Sequence, residues 1–325
     1  MLGLSTGLIW DNFWHTLEEP PQDNLVGHWD FSQFIELSGD LTGDFGSYLS
    51  GGDKIGRVRN IAPASSEKLG AWARATSNNN RPTWITGGAN GQAYARFDNS
   101  SYTEALVTRS TDAANWGGNG TDKLSEVRLR AENLSIFIVG EPLDDDTDGS
   151  PEQAFSYFAY YDNPSGFNSN ASVSFNVERE DDEDIRCYFV LGSGVVSPNY
   201  VTATQAVNHW NSGGVSIVNL QTSTSVGGSY VYTNNNPDIG QTVYHVGSLA
   251  AAQNAWADFD PVSYDDSLTA SIGIGGKVNS SGEITSDSFE GKIYEILVYK
   301  EALSEEDRAA LTYYLGYKYG AIISV

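Results

Sequence analysis

The strongest constraint on the fold comes from residues 289–320, where an apolar strand is followed directly by a capped helix. Residues 289–299 alternate well enough to predict a β-strand with apolar groups on both faces. Under strict alternation, one face carries Ile293, Glu295, Leu297 and Tyr299, and the other carries Tyr294, Ile296 and Val298. A strand that is apolar on both sides is typically covered on both sides, so we expect a packed layer against each face.

The helix after this strand has recognisable start and stop signals. Ser304 stands in the N-cap position, and Asp307 stands three residues later, where a capping box places an acid. The two glutamates between them favour the positive end of the helix dipole. Apolar residues then occur at core-facing spacing, namely Leu311, Tyr314 and Leu315. Gly320 is a typical stop, so the sequence predicts one amphipathic helix packed against a sheet.

The rest of the chain consists of short β-rich runs separated by turns rich in Gly, Asn, Ser and Thr. Strands are predicted at residues 25–31, 91–98, 134–140, 154–161, 171–177, 186–192, 215–221, 228–232, 242–247 and 268–275. Residues 73–84 have neither a helical nor a strand period and predict a structured loop. The pattern predicts an all-β fold with two antiparallel sheets in one domain over residues 25–325.

The charge of the chain excludes one class of partner. The formal net charge is −24, so phosphates would be repelled and we expect no nucleic-acid binding. Eleven of the 18 lysines and arginines lie between Lys54 and Arg130, which leaves the middle of the chain acidic. Such a surface keeps a protein soluble and offers oxygen ligands to divalent cations.

The first 24 residues differ from the rest of the chain and predict a separate arm. They contain an aromatic and apolar cluster, consisting of Trp10, Phe13, Trp14 and Leu17, and Pro20 and Pro21 break the chain after it. An exposed cluster of this kind usually marks a contact, either with the same domain or with another subunit. The arm has no basic start and its apolar run is short, so we expect no signal peptide and no membrane insertion.

Several runs carry a resemblance to a known family. They are residues 75–83, 91–98, 134–140, 291–299, 302–304 and 314–320. Together they resemble the concanavalin A-like, laminin-G-like jelly rolls of phage and bacterial surface proteins. The first four residues look like the start of virion proteins of marine tailed phages. The resemblance implies a jelly-roll sandwich of two antiparallel sheets with a short C-terminal helix, and it does not imply a chemistry.

One acidic loop has the pattern of a cation site. Carboxylates occupy its first, third and fifth positions and a glycine comes next, with Glu152 downstream; the three are Asp144, Asp146 and Asp148. The twelfth position, where a calcium loop needs a bidentate Glu, is Phe155. A bound Ca²⁺ and an acidic turn without an ion therefore both remain open.

A second acidic run, residues 178–184, invites comparison with the paired carboxylates of jelly-roll glycoside hydrolases. The Glu-x-Asp-x-x-Glu pattern of those enzymes fails here. Glu180 stands two residues after Glu178, where the pattern needs an Asp, and Ile185 stands where a pattern that begins at Glu180 needs its last acid. We therefore expect a solvated acidic turn and no catalysis. The four histidines, His15, His28, His209 and His245, show no metal-ligand spacing.

Aromatic residues in loops rich in Gly and Asn are candidates for stacking on sugar rings. The candidate ligand-binding residues are Trp116, Asn119, His209, Trp210, Tyr230 and Tyr232. Two alternatives stay open for the tryptophans, because they can also pin long loops to the sandwich or pack against another subunit.

These observations together predict a non-enzymatic virion structural protein. It would be displayed on the particle surface as a capsid decoration, head fibre or tail-associated subunit, attached through its arm to other virion proteins and assembled with copies of itself. Host glycan is a further expected partner. The alternatives are a carbohydrate-binding module and, last, a polysaccharide depolymerase. We expect none of the polar side chains of residues 289–320 to form a binding or catalytic site.

Overall fold

The structure, a computed structural model, describes most of the predicted strands and the helix. The described residues are 19–33, 35–36, 54–63, 69, 72–75, 78–98, 103–109, 129, 133–143, 152–161, 171–179, 185–192, 201–202, 210, 214–223, 228–233, 244–245, 269–278 and 283–323. No helix within them is both long enough and apolar enough to cross a membrane.

These residues form strands and one α-helix. In chain order the strands are β1 (Leu25–Asp30), β2 (Ile35–Glu36), β3 (Arg57–Arg59), β4 (Trp72–Arg74), β5 (Thr83–Ile85), β6 (Tyr94–Phe97), β7 (Leu106–Arg109), β8 (Asn133–Pro142), β9 (Glu152–Tyr161), β10 (Ala171–Arg179), β11 (Ile185–Gly192), β12 (Val201–Thr202), β13 (Ser216–Ser223), β14 (Gly228–Thr233), β15 (Tyr244–His245), β16 (Thr269–Ile274), β17 (Gly276–Val278), β18 (Ile284–Ser288) and β19 (Gly291–Tyr299). The helix α1 spans Glu305–Tyr319.

The strands build two large sheets, which confirms the predicted all-β sandwich. A seven-stranded sheet has the order β14-β13-β8-β19-β6-β5, and β1 also pairs with β19. A ten-stranded sheet has the order β11-β10-β9-β16-β7-β4-β3-β2, and β17 and β18 join it beside β9. Neighbouring strands are antiparallel, apart from a parallel bridge between β18 and β9.

Two apolar clusters show how the layers stack. The first cluster lies between the sheets and includes Trp29 and Ile296 of the seven-stranded sheet and Phe155 of the ten-stranded sheet. The second cluster joins the outer face of the seven-stranded sheet to α1 and includes Leu297 and Leu311. The layers are therefore helix, seven-stranded sheet and ten-stranded sheet, and β19 is covered on both faces as expected.

A β-bulge changes the predicted faces of β19. The register of β19 against β8 shifts between Ile293 and Glu295, which places one extra residue in β19. Ile293 consequently lies in the inner cluster with Ile296, whereas Tyr294 lies in the outer cluster beneath α1. Strict alternation predicted the opposite faces for Ile293 and Tyr294, and that prediction is wrong because a one-residue slip exchanges the two faces.

The ends of α1 confirm the predicted caps. The Ser304 hydroxyl oxygen accepts a hydrogen bond from the backbone N–H of Asp307 at 3.0 Å, and it donates to the Asp307 carboxylate at 2.6 Å. Gly320 ends the helix in the left-handed conformation, with φ of 69°. That conformation favours glycine, which is why the helix ends at this residue.

The N-cap provides a first prediction. We expect Ser304→Ala to lower the free energy of unfolding by about 1 kcal/mol, because one backbone N–H of the first turn loses its acceptor. Urea unfolding measures the change, and Ser304→Asp is the matched control because an aspartate retains the capping oxygen. Equal losses in the two variants would show that the cap hydrogen bond contributes nothing.

Two parts of the fold differ from the sequence predictions. The predicted loop at residues 73–84 includes most of β4 at its start, and β5 begins at Thr83. The other difference is β17, which folds back over the ten-stranded sheet so that the hydroxyl of Ser156 donates to the carbonyl of Gly276 at 2.8 Å. Gly273 lies beneath this turn, and a Cβ at that position would collide with the carbonyl oxygen of Gly276. The turn depends on this close packing, so the local periodicity of the sequence does not reveal it.

Candidate functional site

Ionisable side chains from β1, β19 and α1 meet under the helix and form one connected network. Glu295 is at its centre: one carboxylate oxygen lies 2.5 Å from His28 Nε2, and the other accepts from Lys318 Nζ at 2.7 Å. The Tyr319 hydroxyl donates to that second oxygen at 2.7 Å. Lys318 Nζ also donates to Asp30 Oδ2 at 2.8 Å, so its ammonium group bridges the two carboxylates. We call these five residues the ion network.

The backbone explains how these residues come together. Asp30 of β1 is directly opposite Glu295 of β19 in the antiparallel register, which places two carboxylates side by side. The last turn of α1 lies over this pair and supplies Lys318 and Tyr319. A basic residue in the last turn also suits the negative end of the helix dipole. Asp30 accepts further hydrogen bonds from the backbone N–H and the hydroxyl of Ser32, at 2.8 and 2.6 Å.

The network is largely buried, and its most exposed side chain, that of Lys318, has 14% of its surface exposed. Glu295 is 0% exposed. Burial by itself raises the pKa of Glu295, but the hydrogen bond from His28 and the charge of Lys318 outweigh burial and lower that pKa to about 2. Burial lowers the pKa of Lys318, but the carboxylates of Glu295 and Asp30 outweigh it, so the net shift is upward. Both charged forms are therefore favoured by their partners.

The same geometry bears on metal binding. His28, Asp30 and Glu295 each offer a ligand atom, and these atoms lie within 4.8 Å of one another. His28 shows no metal-ligand spacing in the sequence, but the fold brings it together with acids that are distant in sequence. Lys318 Nζ, however, already lies within hydrogen-bond distance of both carboxylates. The chain supplies its own cation, and the arrangement is that of a structural ion network.

The pKa of Glu295 predicts acid sensitivity. Its folded pKa is lowered from an ordinary value of 4.5 to about 2, so its contribution to stability is present above pH 4.5 and is lost as the pH falls towards 2. The loss is on the order of 3 kcal/mol. Urea unfolding across this pH range measures it, with Glu295→Gln for comparison. The free energy of unfolding of Glu295→Gln should depend less on pH than that of wild type. Parallel pH curves for the two proteins would contradict the lowered pKa of Glu295.

Of the two candidate acids in the run of residues 178–184, the structure describes only Glu178. Glu178 belongs to β10, is 2% exposed and accepts a hydrogen bond from the Gln153 side-chain amide. The prediction of a solvated turn is therefore wrong for Glu178, because the ten-stranded sheet extends through this residue. Glu180 lies outside the described residues.

The candidate calcium loop is described only at its end. Glu152 begins β9, is buried, and its carboxylate lies 3.9 Å from the guanidinium of Arg179. Arg179 in turn donates to the carbonyl of Leu143, which comes directly after β8, at 3.1 Å. The other three candidate ligands, Asp144, Asp146 and Asp148, lie outside the described residues. A calcium ion at this loop stays a hypothesis.

Trp210 does not have the exposure that sugar stacking requires. It is 0% exposed and belongs to the cluster between the sheets. Its ring lies 5.2 Å from that of Phe289, centroid to centroid, and its indole N–H donates to the carbonyl of Gly140 at 3.4 Å. The sugar-stacking prediction is wrong for this residue, because a ring without exposed surface cannot meet a ligand. The alternative, that Trp210 pins its loop to the sandwich, agrees with the structure.

The other candidate residues are only partly described. Tyr230 and Tyr232 belong to β14, the edge strand of the seven-stranded sheet, opposite Gln221 and Asn219 of β13. The remaining candidates lie outside the described residues: Trp116, Asn119, His209 and the arm residues Trp10, Phe13, Trp14 and Leu17.

The sequence predictions missed the ion network as a whole. Two polar groups of residues 289–320, Glu295 and Lys318, are central to this structural network, and the expectation that they serve no binding or catalytic site stays a prediction. A usable signal was present, because Glu295 is a lone acid within an apolar strand that is covered on both faces. A buried charge of this kind requires a partner.

Comparisons with known proteins assign the chain to no family. No family model matches it, and no curated protein matches it. Among solved structures it is similar to the Ruminococcus gnavus IT-sialidase CBM40, with 14% identity and a TM-score of 0.36 over 56% of this chain and 83% of that one. It is also similar to Trypanosoma rangeli sialidase in complex with sialic acid, with 11% identity and a TM-score of 0.40. That match covers 92% of this chain and 34% of the sialidase.

The strands and the helix of the structure itself define this chain as a two-sheet β-sandwich with a C-terminal helix. At these identities and TM-scores, the similarities carry no inference about activity or ligand.

Proposed function

We propose that this protein is a non-enzymatic structural protein of a virion, displayed on the particle surface. The observation that supports a structural role for the ion network is the burial of Glu295 at its centre. General acid–base catalysis requires a titratable group within reach of the substrate. In this network, Glu295 has no exposed surface, and its two oxygens are already bonded to His28, Lys318 and Tyr319. The ion network attaches α1 to β1 and β19 of the sandwich, which suits a protein with a structural role.

The assignment to a virion rests on the resemblance of the sequence to jelly rolls of phage surface proteins. The net charge of −24 suits a protein that is crowded on a particle and must remain soluble. The proposed partners are other virion proteins, reached through the arm of residues 1–24, and further copies of this chain.

Quantitative mass spectrometry of purified particles tests this proposal. We expect the protein at a fixed copy number per particle, and separating heads from tails locates it. Deletion of residues 1–18, which keeps the hydrogen bonds of Asn24 to Lys300 and Glu301, should abolish incorporation while circular dichroism shows an unchanged sandwich. Absence of the protein from purified particles would overturn the virion assignment. Normal incorporation of the truncated protein would overturn only the role of the arm.

Glycan binding is a second candidate, and the register of β13 and β14 favours it. Tyr230 and Tyr232 stand two residues apart on an edge strand, opposite the amide residues Gln221 and Asn219. Aromatic rings are groups that proteins use to bind sugars, so the two tyrosines carry this candidate. The two amides do not, because both are buried and donate to backbone carbonyls of Ile136 and Leu303. A glycan array with the intact protein tests the idea. Binding should fall in Tyr232→Ala and persist in Tyr317→Ala, a matched change on the helix; an array without any signal would exclude this candidate.

A depolymerase is the least supported alternative. Its best candidate acid, Glu178, is buried and bonded to Gln153. We expect no new reducing ends when the protein is incubated with host polysaccharide, and their appearance in wild type but not in Glu178→Gln would reverse this conclusion.

A further inference from the structure

The turn before β6 is joined to the end of α1 by one side chain, that of Asn90. Its amide nitrogen donates to the backbone carbonyls of Tyr317 and Lys318, each at 3.1 Å. These carbonyls belong to the last turn of α1, where the helix itself supplies no N–H partner. The carbonyl of Gly316 accepts from the backbone N–H of Gly320, and Asn90 provides donors for the next two carbonyls. Asn90 therefore completes the C-terminal cap of α1 from a distant part of the chain.

The conformation of this turn explains why the dipeptide Asn90–Gly91 occurs here. Both residues have positive φ, 50° for Asn90 and 77° for Gly91. The backbone N–H of Gln92 donates to the carbonyl of Ala89 at 3.0 Å, which closes the turn. Two central residues with positive φ are the mark of a type I′ turn, for which Asn-Gly is the preferred sequence. The fold therefore favours this dipeptide whatever its chemical reactivity.

The same dipeptide is the one in which an asparagine most readily loses its side-chain amide. The Gly91 nitrogen can attack Cγ of Asn90, because glycine has no side chain to hinder the approach. The bond from Cγ to Nδ2 breaks, the amide group leaves as ammonia with the proton of the Gly91 N–H, and a cyclic imide remains. Water then opens the ring at one of its two carbonyls and gives aspartate or isoaspartate. Asn90 and Gly91 are both exposed, so water reaches them.

The contacts of the turn oppose this reaction while α1 is in place. The Asn90 amide is held by the carbonyls of Tyr317 and Lys318, and the Gly91 N–H donates to the carbonyl of Gly88 at 3.0 Å. The side chain must leave the helix, and the Gly91 nitrogen must leave its acceptor, before the two atoms can react. Local opening of this kind occurs in folded proteins without global unfolding. The rate of the reaction therefore depends on how often the end of α1 separates from the turn.

We propose that Asn90 is a deamidation site that is protected by α1 and that, once it has reacted, keeps the end of this helix open. A carboxylate has no N–H to donate to the two helix carbonyls. Its negative charge also lies at the negative end of the helix dipole, where an anion is unfavourable. The last turn carries Lys318 and Tyr319, so the ion network is weakened as well. The proposal is independent of the virion assignment, because it concerns the isolated chain.

Peptide mapping of the full-length protein by mass spectrometry, after incubation at mildly alkaline pH, tests the protection. We expect deamidation at Asn90 to be several-fold slower in folded wild type than in wild type unfolded in urea. Lys318→Met should accelerate it several-fold in the folded protein, because the last turn of α1 loses its ion pairs with the sheet. Trp210→Ala is the matched control, because it weakens the packing between the sheets and leaves the end of α1 unchanged. Its rate should stay near that of wild type.

Hydrogen exchange of the last turn of α1 tests the consequence of the reaction. We expect exchange in Asn90→Asp to be several-fold faster than in wild type. Asn90→Gly is the matched control, because glycine accepts positive φ and removes the amide donors without adding a charge. Its exchange should be faster than in wild type and slower than in Asn90→Asp.

Each outcome decides the proposal. Slow deamidation in the folded protein, accelerated by Lys318→Met alone, supports protection by α1. Equal rates in folded and unfolded wild type, or no acceleration in Lys318→Met, overturn it. Equal acceleration in Lys318→Met and Trp210→Ala assigns the reaction to the globally unfolded chain and also overturns it. Exchange in Asn90→Asp that matches wild type overturns the effect on the helix.

Discussion

Replacing Lys318 with methionine should lower the free energy of unfolding by about 3–5 kcal/mol, because two buried carboxylates lose their shared cation. The Lys318 ammonium lies 2.7 Å from Glu295 and 2.8 Å from Asp30, and the Glu295 side chain has no contact with solvent. Methionine keeps much of the length of the side chain, so the measured loss is mainly electrostatic. Urea unfolding near neutral pH gives the value.

Two comparisons separate this effect from general loss of charge. Arg59→Met removes one positive charge from an exposed position, and we expect its stability to stay within about 0.5 kcal/mol of wild type. The double variant Lys318→Met with Glu295→Gln should recover part of the loss, because one uncompensated charge has also been removed. If Lys318→Met were as stable as Arg59→Met, the structural role of the ion network would be refuted.

Replacing Trp210 with alanine should cost about 3–5 kcal/mol of stability, because a fully buried indole leaves a cavity between the sheets. Its ring packs on Phe289, and a Cβ at Gly140 would lie 2.8 Å from it, so its surroundings leave little space. Trp210→Phe is the matched control and should cost less, because part of the aromatic volume remains. Chemical denaturation of both variants provides the measurement.

The same variant distinguishes the two roles considered for Trp210. If the ring pins a loop to the core, stability falls and any glycan binding of the folded fraction persists. Loss of glycan binding at unchanged stability would instead make Trp210 a ligand residue and contradict its position in the structure.

The sequence predicted the parts of the fold that depend on local chemistry. Both ends of α1 are explained by a capping serine and a glycine that adopts the left-handed conformation. The cover on both faces of β19 is explained by its apolar residues. The exchange of Ile293 and Tyr294 was not predictable, because a bulge depends on the partner strand β8 and not on the sequence of β19.

The ion network depends on long-range pairing, and that is why it escaped sequence analysis. His28 and Glu295 are 267 residues apart, and Asp30 and Lys318 are 288 residues apart. Spacing rules for metal or catalytic sites compare residues within one segment, so they do not relate β1 to β19. The lone acid in β19 indicated that a partner was needed, but only the strand register identifies that partner.

The place of β19 in the chain also has a consequence for synthesis on the ribosome. This strand lies between β8 and the pair β1 and β6 in the seven-stranded sheet, yet it occupies residues 291–299. Until those residues leave the exit tunnel, β8 lacks one neighbour and β1 lacks its partner, and both present open edges to other nascent chains. We infer that this sheet closes only after residue 299 has been synthesised and has left the ribosome.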